Sequence, residues 1–341
     1  MALGSLASVS KRGHSMRLIE IRDYGATDEL QLVSREGGLE LGHRQILVSV
    51  KAASYNPVDT ALREGLFDPG SARSFPQSQG QDWSGVVEAV GDDVEHFKVG
   101  DEVYGCQSAA NIHGDGAWAE KMRVELEHLA IKPVAFSWEQ AAALPLVGLT
   151  ALQALRDEGG LEPDRQMRVF INGASGGVGH LAVQLAQCLG ADYIAGSASP
   201  KNHDVVRDLG ADAVLDYNGL TLDDYPGKFD IFFDAAAKTE FSQIRDVLTE
   251  TGIYIRTRPT AESVATSAAT KVAGLVGYDK RAKVIWMNPN SSDLALLARL
   301  VDQHRLKVLV ARTFPFENYR EFVEAGENST EPGKYILRVS C

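Results

Sequence analysis

Apolar positions change their period partway along this chain. Up to about residue 132 they come in short runs that alternate with polar residues, at 16–21, 46–53, 85–91, 99–105, 116–124 and 129–132. A period of two with one apolar face predicts half-buried antiparallel strands. Pro57 turns the chain after the second run, and 59–65 predicts a short helix ending at Gly65. Glycine punctuates these strands throughout, which suits a partly open barrel. At Ser137 the texture changes. Ser137 and Gln140 form a capping box. An alanine-rich helix follows, then Pro145 and a second helix from about 147 to 157. From there strand and helix patterns alternate, with strands at 167–172, 192–196, 213–216, 229–234, 252–256 and 283–287. That order predicts a doubly wound parallel sheet. Helix 293–304 then crosses back, and 306–311 and 334–339 return to the first kind of strand. The expected fold is α/β, with one domain from 16–137 and 289–341 and a second, 138–288, inserted in it. Residues 1–15 read as a leader without structure or a remnant.

One stretch organises the second domain. Val169-Phe170-Ile171-Asn172 is an apolar strand. Gly173-Ala174-Ser175-Gly176-Gly177-Val178-Gly179 is a glycine-rich turn, and a helix opens at His180. Amides at a helix start converge on an anion, and glycines let the backbone approach a pyrophosphate. The spacing is G-x-x-G-x-x-G, with Ala174 where the usual fingerprint has a glycine. The strand–turn–helix context makes this a candidate dinucleotide site.

Bulk properties narrow the partners. The 341 residues suffice for two cores, and 44% apolar with 23% charged residues is ordinary for a globular chain. A net charge of −12 argues against non-specific binding to nucleic acid or an anionic membrane. No apolar run has the length of a membrane span. Cys106, Cys188 and Cys341 lie far apart, so they read as thiols in a reducing compartment, with cytoplasmic residence the default.

Seven segments then fall into one order. They are Asn56-Pro57-Val58-Asp59 with Gly65 beyond; Gly80-Gln81-Asp82 before Ser84-Gly85-Val86-Val87; Val99-Gly100-Asp101-Glu102-Val103; Leu149-Thr150-Ala151; Gly173 to Gly179; Leu209-Gly210-Ala211-Asp212; and Gly333-Lys334. In order and spacing they resemble the medium-chain dehydrogenase/reductase superfamily, in its zinc-less quinone oxidoreductase-like branch. The similarity runs from Met16 to the end. It implies a GroES-like barrel domain joined to a Rossmann domain, a small-molecule substrate in the cleft between them, hydride transfer from a nicotinamide, and a homodimer.

The resemblance also bears on metal. Zinc alcohol dehydrogenases of the superfamily carry Cys-His where this chain has Asn56-Pro57, and His where it has Gln81. Catalytic zinc needs three ligands from His, Cys and carboxylate, and Asp82 alone does not supply them. No metal is therefore expected. Reduction of a quinone or of the C=C bond of an α,β-unsaturated carbonyl suits such a site, because the acceptor is already electron-poor. An enoyl thioester reductase is the alternative enzyme, and an NADPH-binding structural or sensor protein the alternative of another class.

The nicotinamide is read from the second strand's end. NAD enzymes place an acid about twenty residues after the turn. Here that place holds Ser197, Ser199 and Lys201, which suit the 2′-phosphate of NADPH; a plain helix start is the other reading. In the resembling reductases Tyr217 lies near the adenosine end, and Lys334 counts with the cofactor residues. At the reacting end, Thr150 matches a threonine near the nicotinamide amide, or bonds its own helix. Asn56 is a candidate for ribose or substrate carbonyl, or a turn residue. Tyr55 is a candidate substrate contact or proton donor, or a packed aromatic. Phe67 stands where enoyl thioester reductases often have a tyrosine acid. Arg256, beside Arg258, is a candidate anion contact or an ion-pair member, and Trp286 lines the cleft or packs.

Overall fold

The computed structural model describes residues 15–66, 74–108 and 115–340. Its first strands are β1 (Met16–Ile21), β2 (Gln31–Arg35) and β3 (Gln45–Ser54). Helix α1 (Pro57–Arg63) follows, with Pro57 at its first position and Asn56 as its cap. Then come β4 (Gln77–Ser78), β5 (Asp82–Val90), β6 (Glu102–Cys106), β7 (Lys121–Glu125) and β8 (Leu129–Ile131). Strands β2, β1 and β4 form a small sheet in that order. The ten-residue β3 is the spine of a larger one: it pairs antiparallel with β5 along its length and with β7 at its first half. The two faces enclose an aromatic core that includes Trp83 and Trp118.

The helical part opens where the capping box predicts. The Ser137 hydroxyl accepts from the Gln140 amide at the head of α2 (Trp138–Ala142). Helix α3 (Pro145–Gln153) is buried on nearly every side and runs on into a π-helical turn, Ala154–Glu158. The inserted sheet follows: β9 (Arg168–Asn172), α4 (Gly179–Cys188), β10 (Tyr193–Ala198), α5 (His203–Asp208), β11 (Ala213–Asp216), β12 (Phe229–Asp234), α6 (Phe241–Ile244), β13 (Leu248–Arg256), α7 (Ala261–Ala273) and β14 (Arg281–Val284). All six strands are parallel, in the order β11-β10-β9-β12-β13-β14. The order reverses between β9 and β12, which is where such sheets bind ligands, outside the carboxyl ends of the strands. An aliphatic core under α3 and α4 and an aromatic one around Phe170 and Phe232 cover the two faces.

Helix α8 (Ser291–Asp302) carries the chain back, and β15 (Val310–Pro315), α9 (Tyr319–Glu327) and β16 (Lys334–Arg338) complete it. Strand β16 pairs antiparallel with the end of β3 through Ile336–Ser54, Leu337–Ala53 and Arg338–Ala52. Three expected strands differ from this outcome. The run at 306–311 is extended but belongs to no sheet until Val310. Side chains take its backbone bonds instead: Gln184 brackets Lys307, accepting from its amide (2.7 Å) and donating to its carbonyl (2.9 Å). The last parallel strand is Arg281–Val284 rather than 283–287, so Trp286 lies beyond it. In the run at 116–124 the strand begins only at Lys121.

Candidate functional site

The carboxyl edge of the parallel sheet is built around the glycine turn. Gly173 sits at φ +79°, and a Cβ there would come 2.7 Å from the Ala236 Cβ. A Cβ at Gly179 would come 2.1 Å from the Gly173 carbonyl oxygen, so only glycine lets α4 start against the turn. The amides of Ser175, Gly177 and Val178 have no backbone acceptor among the described residues. They stand at the head of α4, where its dipole adds roughly half a positive charge. The turn thus has the geometry, as well as the spacing, that suits a phosphate.

Behind the turn runs a buried polar lace. The Ser197 hydroxyl, at the end of β10, accepts from the Gly173 amide (3.0 Å) and donates to Asn172 Oδ1 (2.6 Å). Asn172 Nδ2 donates to Asp234 Oδ1 (2.7 Å) and Thr239 Oγ1 (3.0 Å). Asp234, at the end of β12, also takes the amides of Thr239 and Lys238 and the Tyr254 hydroxyl. Burial pushes this carboxyl upward, and its donors hold it down. Three strand ends are thereby locked together. Ser197 is a part of the lock and fully buried, so it is no 2′-phosphate contact. Sequence reasoning missed Asn172, Asp234 and Thr239; the available signal was a polar residue closing each apolar strand.

Ser199 and Lys201 stand differently. Ser199 is half-buried and extended after β10, its side chain capping nothing, and Lys201 is exposed in the single turn Pro200–Asn202. Asn202 reaches back to the Ser175 hydroxyl (3.3 Å), tying this turn to the glycine turn. Tyr217, past the end of β11, is 55% exposed.

On the facing side, β3, α1, β5 and β16 build a floor. Asp82 Oδ2 accepts from the Ser54 hydroxyl (3.0 Å) and Asn56 Nδ2 (2.9 Å), and its Oδ1 accepts from the Leu146 amide (2.8 Å). The Lys334 ammonium donates to the Tyr55 carbonyl (2.6 Å) and to Asn56 Oδ1, and lies 3.6 Å from Asp82 Oδ2. Asp59 Oδ2 accepts the Asn56 amide (2.7 Å), while its Oδ1 is buried without a partner. Burial pushes the Asp59 carboxyl up and the Lys334 ammonium down, against the pull of opposite charges nearby. The stem of Lys334 passes the turn: a Cβ at Gly177 would come 3.3 Å from its Cδ. His180 closes the junction. Its Nδ1 donates to the Gly176 carbonyl (3.0 Å), and its Nε2 accepts the Leu309 amide (3.2 Å). Complete burial, with Lys334 nearby, lowers this imidazole to about 4.

Several candidates occupy other roles than expected. Tyr55 packs edge-on against Phe322 and close over Gly326, and its hydroxyl bonds Thr60 (2.9 Å). That hydroxyl is tied to α1 through Thr60, which in turn donates to Glu327 of α9, and burial raises it to about 12, making it a weak acid. Asn56 has both ends of its amide bound in the floor, which makes it a framework residue. Lys334 likewise directs its ammonium into the floor and offers the cofactor turn only its stem. Thr150 donates its proton to the Leu146 carbonyl (2.7 Å), leaving only its oxygen lone pairs for a ligand. Arg256 is buried and bound to the Glu240 carboxylate and the Ala237 carbonyl (3.2 Å), so it is an ion-pair member and no free anion contact. Trp286 is 65% exposed, at the mouth of a roughly 440 Å³ polar hollow lined also by Gln153, Arg156 and Asp293. Phe67, and the leader apart from Ser15, lie outside the described residues.

A catalytic zinc does not fit this floor. The residues at the family's ligand positions are Asn56, Pro57 and Gln81, and Asp82 is saturated by three hydrogen bonds and an ammonium. Among the described residues no three His, Cys, Asp or Glu side chains converge as metal ligands.

Known proteins share both halves of this arrangement. Residues 42–134 match the alcohol dehydrogenase GroES-like domain family, and residues 209–337 match the zinc-binding dehydrogenase family. The chain is 32% identical over 301 residues to the chloroplast envelope quinone oxidoreductase homolog of Arabidopsis thaliana, covering 86% of this chain and 89% of that one. It is 40% identical over 220 residues to the chloroplastic NADPH-dependent alkenal/one oxidoreductase of the same plant, covering 62% and 55%. The quinone oxidoreductase of Coxiella burnetii superimposes with a TM-score of 0.83 at 30% identity, over 96% of this chain and 100% of that one. A glycine cradle at the switch point of a six-stranded parallel sheet, set against a GroES-like floor, thus has these relatives for company, and the chain belongs to the medium-chain dehydrogenase/reductase superfamily, in its quinone oxidoreductase-like branch.

Proposed function

We propose that this oxidoreductase is NADPH-dependent and reduces a quinone, or the C=C bond of an α,β-unsaturated carbonyl, without a metal. The observation that carries the reading is the cradle of free amides of Ser175, Gly177 and Val178 at the head of α4, beside Ser199 and Lys201 with no acid at the strand end. NADPH, when bound, supplies the hydride. The chain's residues bind and orient. The turn amides and the α4 dipole hold pyrophosphate, Ser199 and Lys201 receive the 2′-phosphate, and the Thr150 lone pairs face a carboxamide donor. With the Tyr55 hydroxyl held by Thr60, the proton that completes reduction comes from water. The relative named as an NADPH-dependent alkenal/one oxidoreductase supports the same choice of cofactor and acceptor.

The homodimer belongs to this reading. The outer edge of β14 pairs with no described strand, and Val272 and Leu275, just before it in the chain, are 65% and 84% exposed. Light scattering behind size exclusion measures the mass in solution. Cytoplasmic residence belongs to it too, although both plant relatives are chloroplast proteins by name, and a carboxyl-terminal fluorescent fusion reads the compartment directly. No helix among the described residues is long and apolar enough to cross a membrane.

The deciding experiment is a panel of quinones, enones and enoyl thioesters read by NADPH absorbance and product mass. Turnover of a quinone or an enone supports the reading. Turnover confined to enoyl thioesters replaces the substrate class, and NADPH binding without turnover on any of them sinks the enzyme reading.

A further inference from the structure

In zinc alcohol dehydrogenases of this superfamily the catalytic metal is held at the positions that Asn56, Pro57 and Gln81 occupy here. In this chain a lysine reaches into that place. The Lys334 ammonium is 4% exposed, hydrogen-bonds the Tyr55 carbonyl and the Asn56 amide oxygen, and pairs with the Asp82 carboxylate at 3.6 Å. These groups come from β3, the cap of α1 and β5. Lys334 itself starts β16, and its amide donates to the Leu309 carbonyl (2.8 Å) while the preceding Gly333 amide donates to the Ser175 carbonyl (3.3 Å). One side chain therefore joins the floor, and one dipeptide joins the floor to the cofactor turn.

We propose that Lys334 is the positioning residue of the reaction: a built-in cation that takes the place of the metal in organising the floor and sets it against the Ser175–Gly177 edge of the cofactor turn. Two features fit that role. Two hydrogen bonds and the ion pair with Asp82 direct the buried ammonium into the floor. Asp82 neutralises it, so it organises the floor without acting as a Lewis acid. Asp59, whose carboxyl is favoured in its neutral form by burial, adds little net charge to the cluster. The inference rests on the metal-free reading above and extends it to the residue that replaces the metal.

The test is Lys334→Met, which keeps the stem beside Gly177 and removes the cation, with metal analysis of the wild-type protein run in parallel. Expected are NADPH affinity within about threefold of wild type and a turnover number at saturating NADPH and acceptor at least about thirtyfold lower. A purely structural lysine would lower the yield of folded protein and leave the turnover of the folded fraction unchanged. Unchanged turnover overturns the role of Lys334 and leaves the metal-free reading standing. Stoichiometric zinc whose removal abolishes activity overturns that reading, and the proposal with it. Should Lys334→Met fail to fold for want of a partner for Asp82, Lys334→Met/Asp82→Asn removes both charges. Wild-type turnover in that double variant shows that the lysine only balances Asp82 and overturns the proposal; low turnover in the folded double variant supports it.

Discussion

Replacing Ser197 by alanine separates the lock from the cofactor site. The hydroxyl serves two partners, the Gly173 amide at 3.0 Å and Asn172 Oδ1 at 2.6 Å. Ser197 itself is 0% exposed, so water does not replace what is lost. A buried polar group left unpaired costs about 1–3 kcal/mol, and two neutral groups with some relaxation of Asn172 give about 2–4 kcal/mol in total. For a domain of this size each kcal/mol moves the melting temperature by roughly 2–4 °C, so a fall of about 5–15 °C is expected. The assay is thermal or denaturant unfolding of the apo protein beside Michaelis constants for NADPH and NADH. Both constants should rise together, because the turn is loosened for any dinucleotide. A variant as stable as wild type, with a selectively raised constant for NADPH, would return Ser197 to the 2′-phosphate and refute the reasoning.

Other expectations follow from the same geometry. Lys201→Ala should leave stability within about 0.5 kcal/mol, since the side chain is exposed, and raise the NADPH constant roughly tenfold while sparing NADH; equal effects on the two coenzymes would count against Lys201. His180 is lowered to about 4 in the fold against an ordinary 6.5, so only the unfolded chain takes up its proton as pH falls between those values. Stability present above about pH 6.5 is then lost progressively toward pH 4, by roughly 3 kcal/mol, and unfolding of His180→Asn should lack that slope. Arg256→Met should destabilise by about 1–3 kcal/mol, through the lost Glu240 pair and the Ala237 carbonyl, with acceptor Michaelis constants unchanged; a selective rise for anionic acceptors would restore its role as an anion contact.

The parallel sheet was legible because its central strands are apolar on both faces and end in turns. The glycine turn was legible because Gly173 and Gly179 fill places where no Cβ fits. What the sequence hid is which polar residue answers to which. Ser197, Ser199 and Lys201 are close together along the chain, and only the strand's end decides that the first points into the lock while the other two lie beyond it. Tyr55 and Asn56 are adjacent, yet the pleat and the cap send the phenol toward α9 and the amide toward Asp82. Lys334 lies 278 residues from Asn56 in sequence, and no local pattern announces that they touch. The extended run at 306–311 misled for a related reason: its backbone is paired by Gln184 and His180, and side-chain pairing leaves the same apolar alternation as a sheet.

Charge at the sheet's carboxyl edge explains why the cofactor preference rests on so few residues. Asp234, at the end of β12, is held within the lock by four donors. Arg256, at the end of β13, is paired with Glu240, which cancels its charge. Asp216, at the end of β11, has one carboxylate oxygen turned onto the amide and side chain of Asn218. Lys201 is exposed and has no ion-pair partner among the described residues, so its charge is free to meet an anion beside the cradle. An acid at the end of β10 would both repel a 2′-phosphate and compete for that lysine. On the proposed NADPH reading, selection is the joint result of the free Lys201 and the missing acid. Placing a glutamate at position 199 (Ser199→Glu) should therefore weaken NADPH more than removing Lys201 does, because it adds repulsion to the lost attraction.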